Sequence, residues 1–332
     1  MVSQNKYIRD IYIAKNRISP LARKTPLIYS SQLSEGIGRS VYLKLESLQE
    51  TGSFKIRGAA NKLLSLSEKE KKCGVIAFST GNHGRAVAYV AKQLGITAVI
   101  CLSDRVPQYR MDVLKELGAE VVQYGKSQDK AYEYALHLQE ERGLVMVNPF
   151  DDSFVIAGQG TIGLEILENL QSVDTVVVPV SGGGLIAGIA LAIKSTNPKI
   201  RVIGVSMDRG PAMYHSIKVG QPIEIEERDS IADALLGGIG LDNRYTFRLV
   251  QEYVDELILV SEDEIAEGIF FAFDKHRLIV EGAGAVGISA LRFKKAANLG
   301  QNIVVVLSGG NVDISLLTNI AMERYNVGDK VL

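Results

Sequence analysis

Short aliphatic runs recur along the chain, and stretches with helical spacing separate most of them. Residues 41–45 (VYLKL), 75–78 (VIAF), 98–102 (AVICL) and 120–124 (EVVQY) read as strands. The pattern between them predicts helices over 53–64, with Ser53 as N-cap, and over 86–94, 109–117 and 131–139. A second series follows Pro149: helices over 161–170 and 185–194 alternate with strands over 176–178 and 202–205. Ser261 and Glu264 form a capping-box pattern ahead of a helix running to 275, and 303–307 (IVVVL) is a last core strand. The strands are apolar at successive positions, as in a parallel sheet covered on both faces. The βα rhythm predicts an open α/β architecture. The stretch 208–244 is the least regular.

Length divides this picture in two: 332 residues exceed one small core and predict two lobes. Composition is that of a water-soluble globular chain, 46% hydrophobic and 23% charged. A formal net charge of −1 supplies no basic field for nucleic acid or an anionic membrane. No apolar run is long enough to span a bilayer, and residues 1–9 lack the apolar core of a signal peptide. The two cysteines, Cys73 and Cys101, cannot build a disulfide framework, which points to reduced thiols in a cytoplasmic protein. The four histidines show no metal-ligand pairing at helical spacing, so no metal site is expected.

Three segments carry candidate chemistry. The first is TGSFKIRG (51–58), with Lys55 as an amine. The second is STGNHG (79–84), at the C-terminal end of the strand 75–78, where open α/β sheets collect ligands. Its Ser79, Thr80, Gly81, Asn82 and His83 offer donors for a carboxylate or a ring oxygen. The third is SGGGL (181–185), after the strand 176–178 and at the start of a helix. Glycines there let backbone N–H groups converge on an anion, with the positive helix end behind them. An amine, a polar loop and a phosphate cradle together match pyridoxal phosphate, an aldehyde cofactor with a phosphate arm.

Two stretches match G-x-G-x-x-G, at 158–163 and 282–287. Neither is followed by a strand that ends in an acidic residue, which a dinucleotide ribose requires. Both are expected to be helix starts packed closely on a neighbour, and a nicotinamide dehydrogenase is the weaker enzyme reading.

Taken in order, RKTPL (23–27), SFKIRG (53–58), STGNHG (79–84), AGQGT (157–161), GGGL (182–185) and SGGN (308–311) resemble the fold type II, tryptophan-synthase-β-like pyridoxal-phosphate enzymes. The branch most resembled is that of the serine/threonine dehydratases and serine racemases. The resemblance implies two open twisted sheets with helices on both faces. A large cofactor lobe would comprise 1–50 and 150–332, and a small lobe 51–149. It implies that Lys55 holds the cofactor, that Phe54 packs on its ring and that Asn82 meets the ring hydroxyl. Ser181, Gly182, Gly183, Gly184 and Leu185 would bind the phosphate, and Ser308 would face the pyridine nitrogen. Ser79, Thr80, Gly81, Asn82 and His83 would hold the substrate carboxylate. The implied activity is β-elimination of water from a small hydroxy-amino acid to a 2-oxo acid and ammonia, by a homodimer, with Lys55 as base. A racemase, a β-replacement enzyme or a non-catalytic metabolite-binding protein are the alternatives. Thr80 stands where the racemases carry serine, which argues against racemisation. Ser206 and Ala212 stand at the places of the racemases' cation ligands, so that site is expected to be absent. Arg85 stands where the commonest dehydratases carry Gln or Ala, and the stretches 206–210 and 237–244 look more like the hydroxyectoine-utilisation dehydratases, which would make the substrate a hydroxylated amino acid of ectoine breakdown rather than threonine. The chain runs only a short way past Asn311, so no regulatory domain or isoleucine feedback is expected.

Overall fold

The computed structural model describes residues 2–79, 81–104, 106, 108–126 and 128–328. Its first elements are α1 (Val2–Ile18), β1 (Leu27–Tyr29), α2 (Ser31–Ile37) and β2 (Ser40–Leu45). The chain then builds α3 (Lys55–Leu64), α4 (Glu68–Cys73), β3 (Val75–Phe78), α5 (Asn82–Leu94), β4 (Ala98–Leu102), α6 (Gln108–Glu116), β5 (Glu120–Gln123), α7 (Gln128–Arg142) and β6 (Val145–Met146). It continues through α8 (Ser153–Asn169), β7 (Thr175–Pro179), α9 (Gly184–Thr196), β8 (Arg201–Met207), α10 (Ala212–Val219), α11 (Thr246–Tyr253) and β9 (Glu256–Val260). The last elements are α12 (Glu262–His276), α13 (Gly282–Arg292), β10 (Asn302–Leu307) and α14 (Ile314–Gly328).

These strands form two sheets. The larger runs β1-β2-β10-β7-β8-β9, parallel except for β1 at its edge. The smaller runs β5-β4-β3-β6 and is parallel throughout. The chain therefore leaves the larger sheet after β2, completes the smaller one, and returns with β7 and β10. Register explains the unbroken apolar runs, because alternate residues of one strand serve opposite faces. Val177 and Val305 pack under α12 and α13, whereas Val176, Val178, Val304 and Val306 pack under α8 and α9. In the smaller sheet Ala77, Ile100 and Leu102 face α3 and α5, and Ile76, Val99 and Cys101 face α7.

Several local expectations change. Ser53 does not cap a helix: it bridges to Gly309, and the next N–H, of Phe54, donates to the Ser308 carbonyl at 3.0 Å. The helix starts at Lys55 with Phe54 at its N-cap and no side-chain cap. A tertiary strand-like contact has displaced the local cap. The helix expected from 161 begins at Ser153, because Asp152 accepts from the N–H groups of Phe154 and Val155. Gly158 is thus mid-helix rather than a helix start. Its role is close approach, since a Cβ there would lie 2.5 Å from the Arg57 carbonyl. Gly282 does open a helix, α13. The capping box of Ser261 and Glu264 is formed as read, and a second, Ser67 with Glu70, caps α4. Within 208–244 the only regular elements are α10 and a 3₁₀ turn at Asp233–Leu235.

Candidate active site

The C-terminal ends of β3, β7 and β10 point their loops into one cleft between the sheets, with a volume of about 910 Å³. Lys55 lies at its floor, at the first position of α3. Its Nζ donates to the Pro149 carbonyl at 2.8 Å, and among the described residues no carboxylate forms an ion pair with it. Burial among protein atoms lowers its pKa to about 8, against the pull of Glu281, which raises it. At neutral pH a far larger share of this amine is unprotonated than in an exposed lysine. Phe54 lines the same floor, its ring centroid 5.3 Å from the Lys55 ammonium.

The opposite wall is the turn 181–184 between β7 and α9. Gly183 adopts φ +87°, a left-handed conformation open to glycine at little cost. Gly184 begins α9, so the first N–H groups of the helix, with Leu185 next, have no partner within it. Ser181 and Gly182 complete the turn, and all five residues line the cleft. Packing demands glycine as well as anion binding does. A Cβ on Gly184 would meet the Phe150 backbone at 2.9 Å, and one on Gly182 would enter the Phe150 ring.

The third wall carries the 79–84 segment. Thr80 lies outside the described residues. Ser79 and Gly81 line the cleft, and Asn82 begins α5. The Asn82 amide joins the start of α5 to the N-cap of α13 and to Asn311: Nδ2 donates to Glu281 Oε1 at 2.6 Å, and Oδ1 accepts from Asn311 Nδ2 at 2.6 Å. One Nδ2 hydrogen remains for another acceptor. The His83 ring is committed elsewhere. Its Nε2 is 2.8 Å from the Val147 carbonyl, which can only accept, and burial holds its pKa at about 3. The ring is therefore neutral, with Nδ1 unprotonated, and what His83 can donate to a carboxylate is its backbone N–H. Ser308 is buried (3% exposed) at the end of β10 and lines the cleft.

Sequence reading missed four contributors. Glu281 is buried at the N-cap of α13 (4% exposed), accepts from Asn82 and from the Asn311 N–H, and has its pKa raised to about 7, first by burial and then by Asp233. It stands just before one of the G-x-G-x-x-G decoys, and nothing local marks it. Pro149 and Phe150 position the lysine and the glycine turn. Asp151 accepts from the N–H groups of Arg244, Tyr245 and Thr246 at 2.7, 2.9 and 2.9 Å, capping α11 from across the cleft. That pins the irregular 237–245 stretch as the cleft's outer rim.

The residues present fit pyridoxal phosphate. A desolvated amine without a carboxylate partner suits condensation with an aldehyde, and a glycine turn at a helix N-terminus suits a phosphate. Between a parallel sheet and a largely parallel one, these features define a lysine-dependent enzyme of the pyridoxal-phosphate type. The chain belongs to the family described as pyridoxal-phosphate dependent enzymes, whose model matches residues 18–309. It is 49% identical over 312 residues to a putative threonine dehydratase of Sinorhizobium fredii, covering 94% of each chain. It is 46% identical over 313 residues to an L-threonine ammonia-lyase of Thermotoga maritima, covering 94% of this chain and 77% of the relative. Among solved structures it superposes on processed threonine deaminase isoform 2 of Solanum lycopersicum with a TM-score of 0.90 at 38% identity, over 97% and 93% of the two chains. Pyridoxal phosphate is thus the cofactor. No described helix is long and apolar enough to cross a membrane.

Proposed function

We propose that the protein is an ammonia-lyase that eliminates water from a small hydroxy-amino acid, threonine, serine or a hydroxylated ectoine-derived amino acid, giving a 2-oxo acid and ammonia. The observation that carries this is Lys55: a desolvated amine between a glycine turn and a donor-rich loop. The sequence relatives are named for the same reaction.

Bound at Lys55, pyridoxal phosphate supplies an electron-accepting ring that acidifies the α-proton of an attached amino acid and lets a β-hydroxyl depart. The chain's residues do the rest. The turn of Ser181, Gly182, Gly183, Gly184 and Leu185 offers backbone N–H groups to the phosphate, and the α9 N-terminus adds positive potential. Asn82, held by Glu281 and Asn311, would offer its spare Nδ2 hydrogen to the ring hydroxyl. Ser308 offers a neutral hydroxyl to the pyridine nitrogen, where a carboxylate would have kept that nitrogen protonated. Phe54 packs beside the ring. Ser79, Thr80, Gly81, Asn82 and His83 receive the substrate carboxylate, with His83 serving through its backbone. Lys55 Nζ would take the α-proton of the bound substrate. Its lowered pKa leaves it able to take a proton near neutral pH. The Pro149 carbonyl gives the free amine a fixed hydrogen-bond partner.

The same reading makes the large lobe 1–50 with 150–332, the small lobe 51–149, and the protein a cytoplasmic homodimer. The exposed apolar side chains of Leu48, Ile279 and Ile314 are what a second copy would cover. Sedimentation of the purified protein tests the dimer. Ammonia release across serine, threonine and ectoine-derived hydroxy-amino acids tests the activity. Release from none of them by cofactor-loaded protein overturns it.

A further inference from the structure

Arg57 stands two residues beyond Lys55, is 1% exposed, and does not line the cleft. Its Nε and Nη2 reach the two oxygens of Glu46 at 2.8 Å each. Its Nη1 and Nη2 reach the two oxygens of Glu165 at 2.6 and 3.0 Å. Thr161 Oγ1 and the Arg23 carbonyl accept from the same guanidinium, each at 3.1 Å. Lys44 donates to Glu165 at 2.5 Å and to the Thr25 carbonyl at 2.7 Å, and Thr25 Oγ1 donates to Glu46 at 2.6 Å. Two cations and two carboxylates thus form one enclosed cluster, with every arm of the arginine engaged.

Such clusters are a weak source of stability, because well-packed apolar residues of the same volume avoid the desolvation cost. What a planar fork supplies is geometry. This one fastens four parts of the chain: the 23–25 segment, the end of β2 with its following turn, α3 and α8. At the same place the α3 and α8 backbones touch, through Gly158 against the Arg57 carbonyl. Residues i and i+2 of a helix point to different sides. Arg57 therefore reaches into α8 while Lys55 reaches into the cleft. On the other side, the bridge of Ser53 to Gly309 and the Phe54 N–H bond to Ser308 fix the entry to the helix.

We propose that Arg57 is a positioning residue for the reaction, which sets the place of the Lys55 amine through the first turn of α3. The inference rests on Lys55 being the cofactor-binding amine. The test therefore begins with borohydride reduction of the parent holoenzyme and peptide mapping. No label on Lys55 overturns both readings. With Lys55 labelled, the Arg57→Lys variant keeps the charge but loses the fork. Its kcat for ammonia release falls about 10- to 100-fold, the loss that a displacement near 1 Å brings. Its KM stays within about threefold. The pH midpoint of the Lys55-bound cofactor absorbance moves by about half a unit or more, a readout that lower stability alone leaves in place. A kcat within about threefold of the parent at equal cofactor occupancy, with an unmoved midpoint, overturns the inference and leaves the proposed function standing. Should Arg57→Lys not fold, Thr161→Val carries the test, since it removes one acceptor at nearly constant volume. A kcat fall of about three- to tenfold with a displaced midpoint supports the inference, and parent-like values for both overturn it.

Discussion

Gly184→Ala tests the phosphate cradle with a single methyl group. The added Cβ would lie 2.9 Å from both Cα and O of Phe150. Carbon atoms rest near 3.5–4.0 Å, so the turn must retreat by roughly 0.6 Å or more. The obstacle is backbone, and Phe150 is itself held by its N–H bond to Asn148 Oδ1 at 3.1 Å, so the neighbour cannot rotate away. Overpacking of this kind costs about 1–3 kcal/mol. Alanine is the better helix former by up to about 1 kcal/mol, which offsets part of that in overall stability. The helix gain is indifferent to the cofactor, whereas the displaced N–H groups are those proposed to hold its phosphate. If the strain falls on the cofactor-binding geometry, affinity weakens about 5- to 150-fold at 1.4 kcal/mol per decade. The assay is absorbance titration of apo-protein with pyridoxal phosphate. The control is Gly95→Ala, at a left-handed helix end (φ +66°) with nothing within 4 Å of the new Cβ. It loses stability from backbone strain and keeps its affinity. A Gly184→Ala protein that binds within about twofold of the parent, or a control that weakens equally, refutes the placing of the phosphate in this turn.

Other outcomes follow from the same geometry. The rate at which apo-protein captures pyridoxal phosphate should rise about tenfold per pH unit up to about 8, the Lys55 pKa, and then level, where an ordinary lysine would keep rising towards 10.5. His83 has a folded pKa of about 3 against an ordinary value of 6.5, so the unfolded chain binds the extra proton. The parent should therefore lose stability as pH falls below 6.5, and His83→Gln should lose less between pH 6 and 4 in denaturant titrations. Glu281 has the opposite sign, because its folded pKa, about 7, lies above the ordinary value of 4.5. Its contribution is lost as pH rises from 4.5 through 7, so Glu281→Gln should compare better with the parent at pH 8 than at pH 5. Ser261→Ala removes one half of a capping box remote from the cleft and should cost about 1 kcal/mol with activity unchanged.

Much of the fold was legible in the chain because its central strands are buried on both faces. Runs such as 98–102 and 303–307 have no polar alternation to blur them, and their ends fall within a residue of β4 and β10. Helix starts were read less well where tertiary contacts decide them. Ser53 has a capping side chain but is drawn into the bridge with Gly309. Asp152, the actual cap of α8, lies well before the glycines of 158–163, which the sequence reads as a helix start. Those glycines follow a nucleotide-loop spacing for a different reason: α8 lies against α3 and α9 with almost no room for side chains. In the site, the loops around Lys55, Asn82 and Gly183 announced themselves by composition. Glu281, Pro149 and Asp151 did not, since each acts through a partner 90 or more residues away that only the assembled sheets bring near.

The most direct test is where the cofactor's carbon becomes bonded. Borohydride reduction of the holoenzyme, followed by proteolysis and mass spectrometry, should place one reduced pyridoxal-phosphate adduct on the peptide containing Lys55, and Lys55→Ala should take up none and release no ammonia. An adduct on another lysine, or ammonia release by Lys55→Ala, would contradict the account.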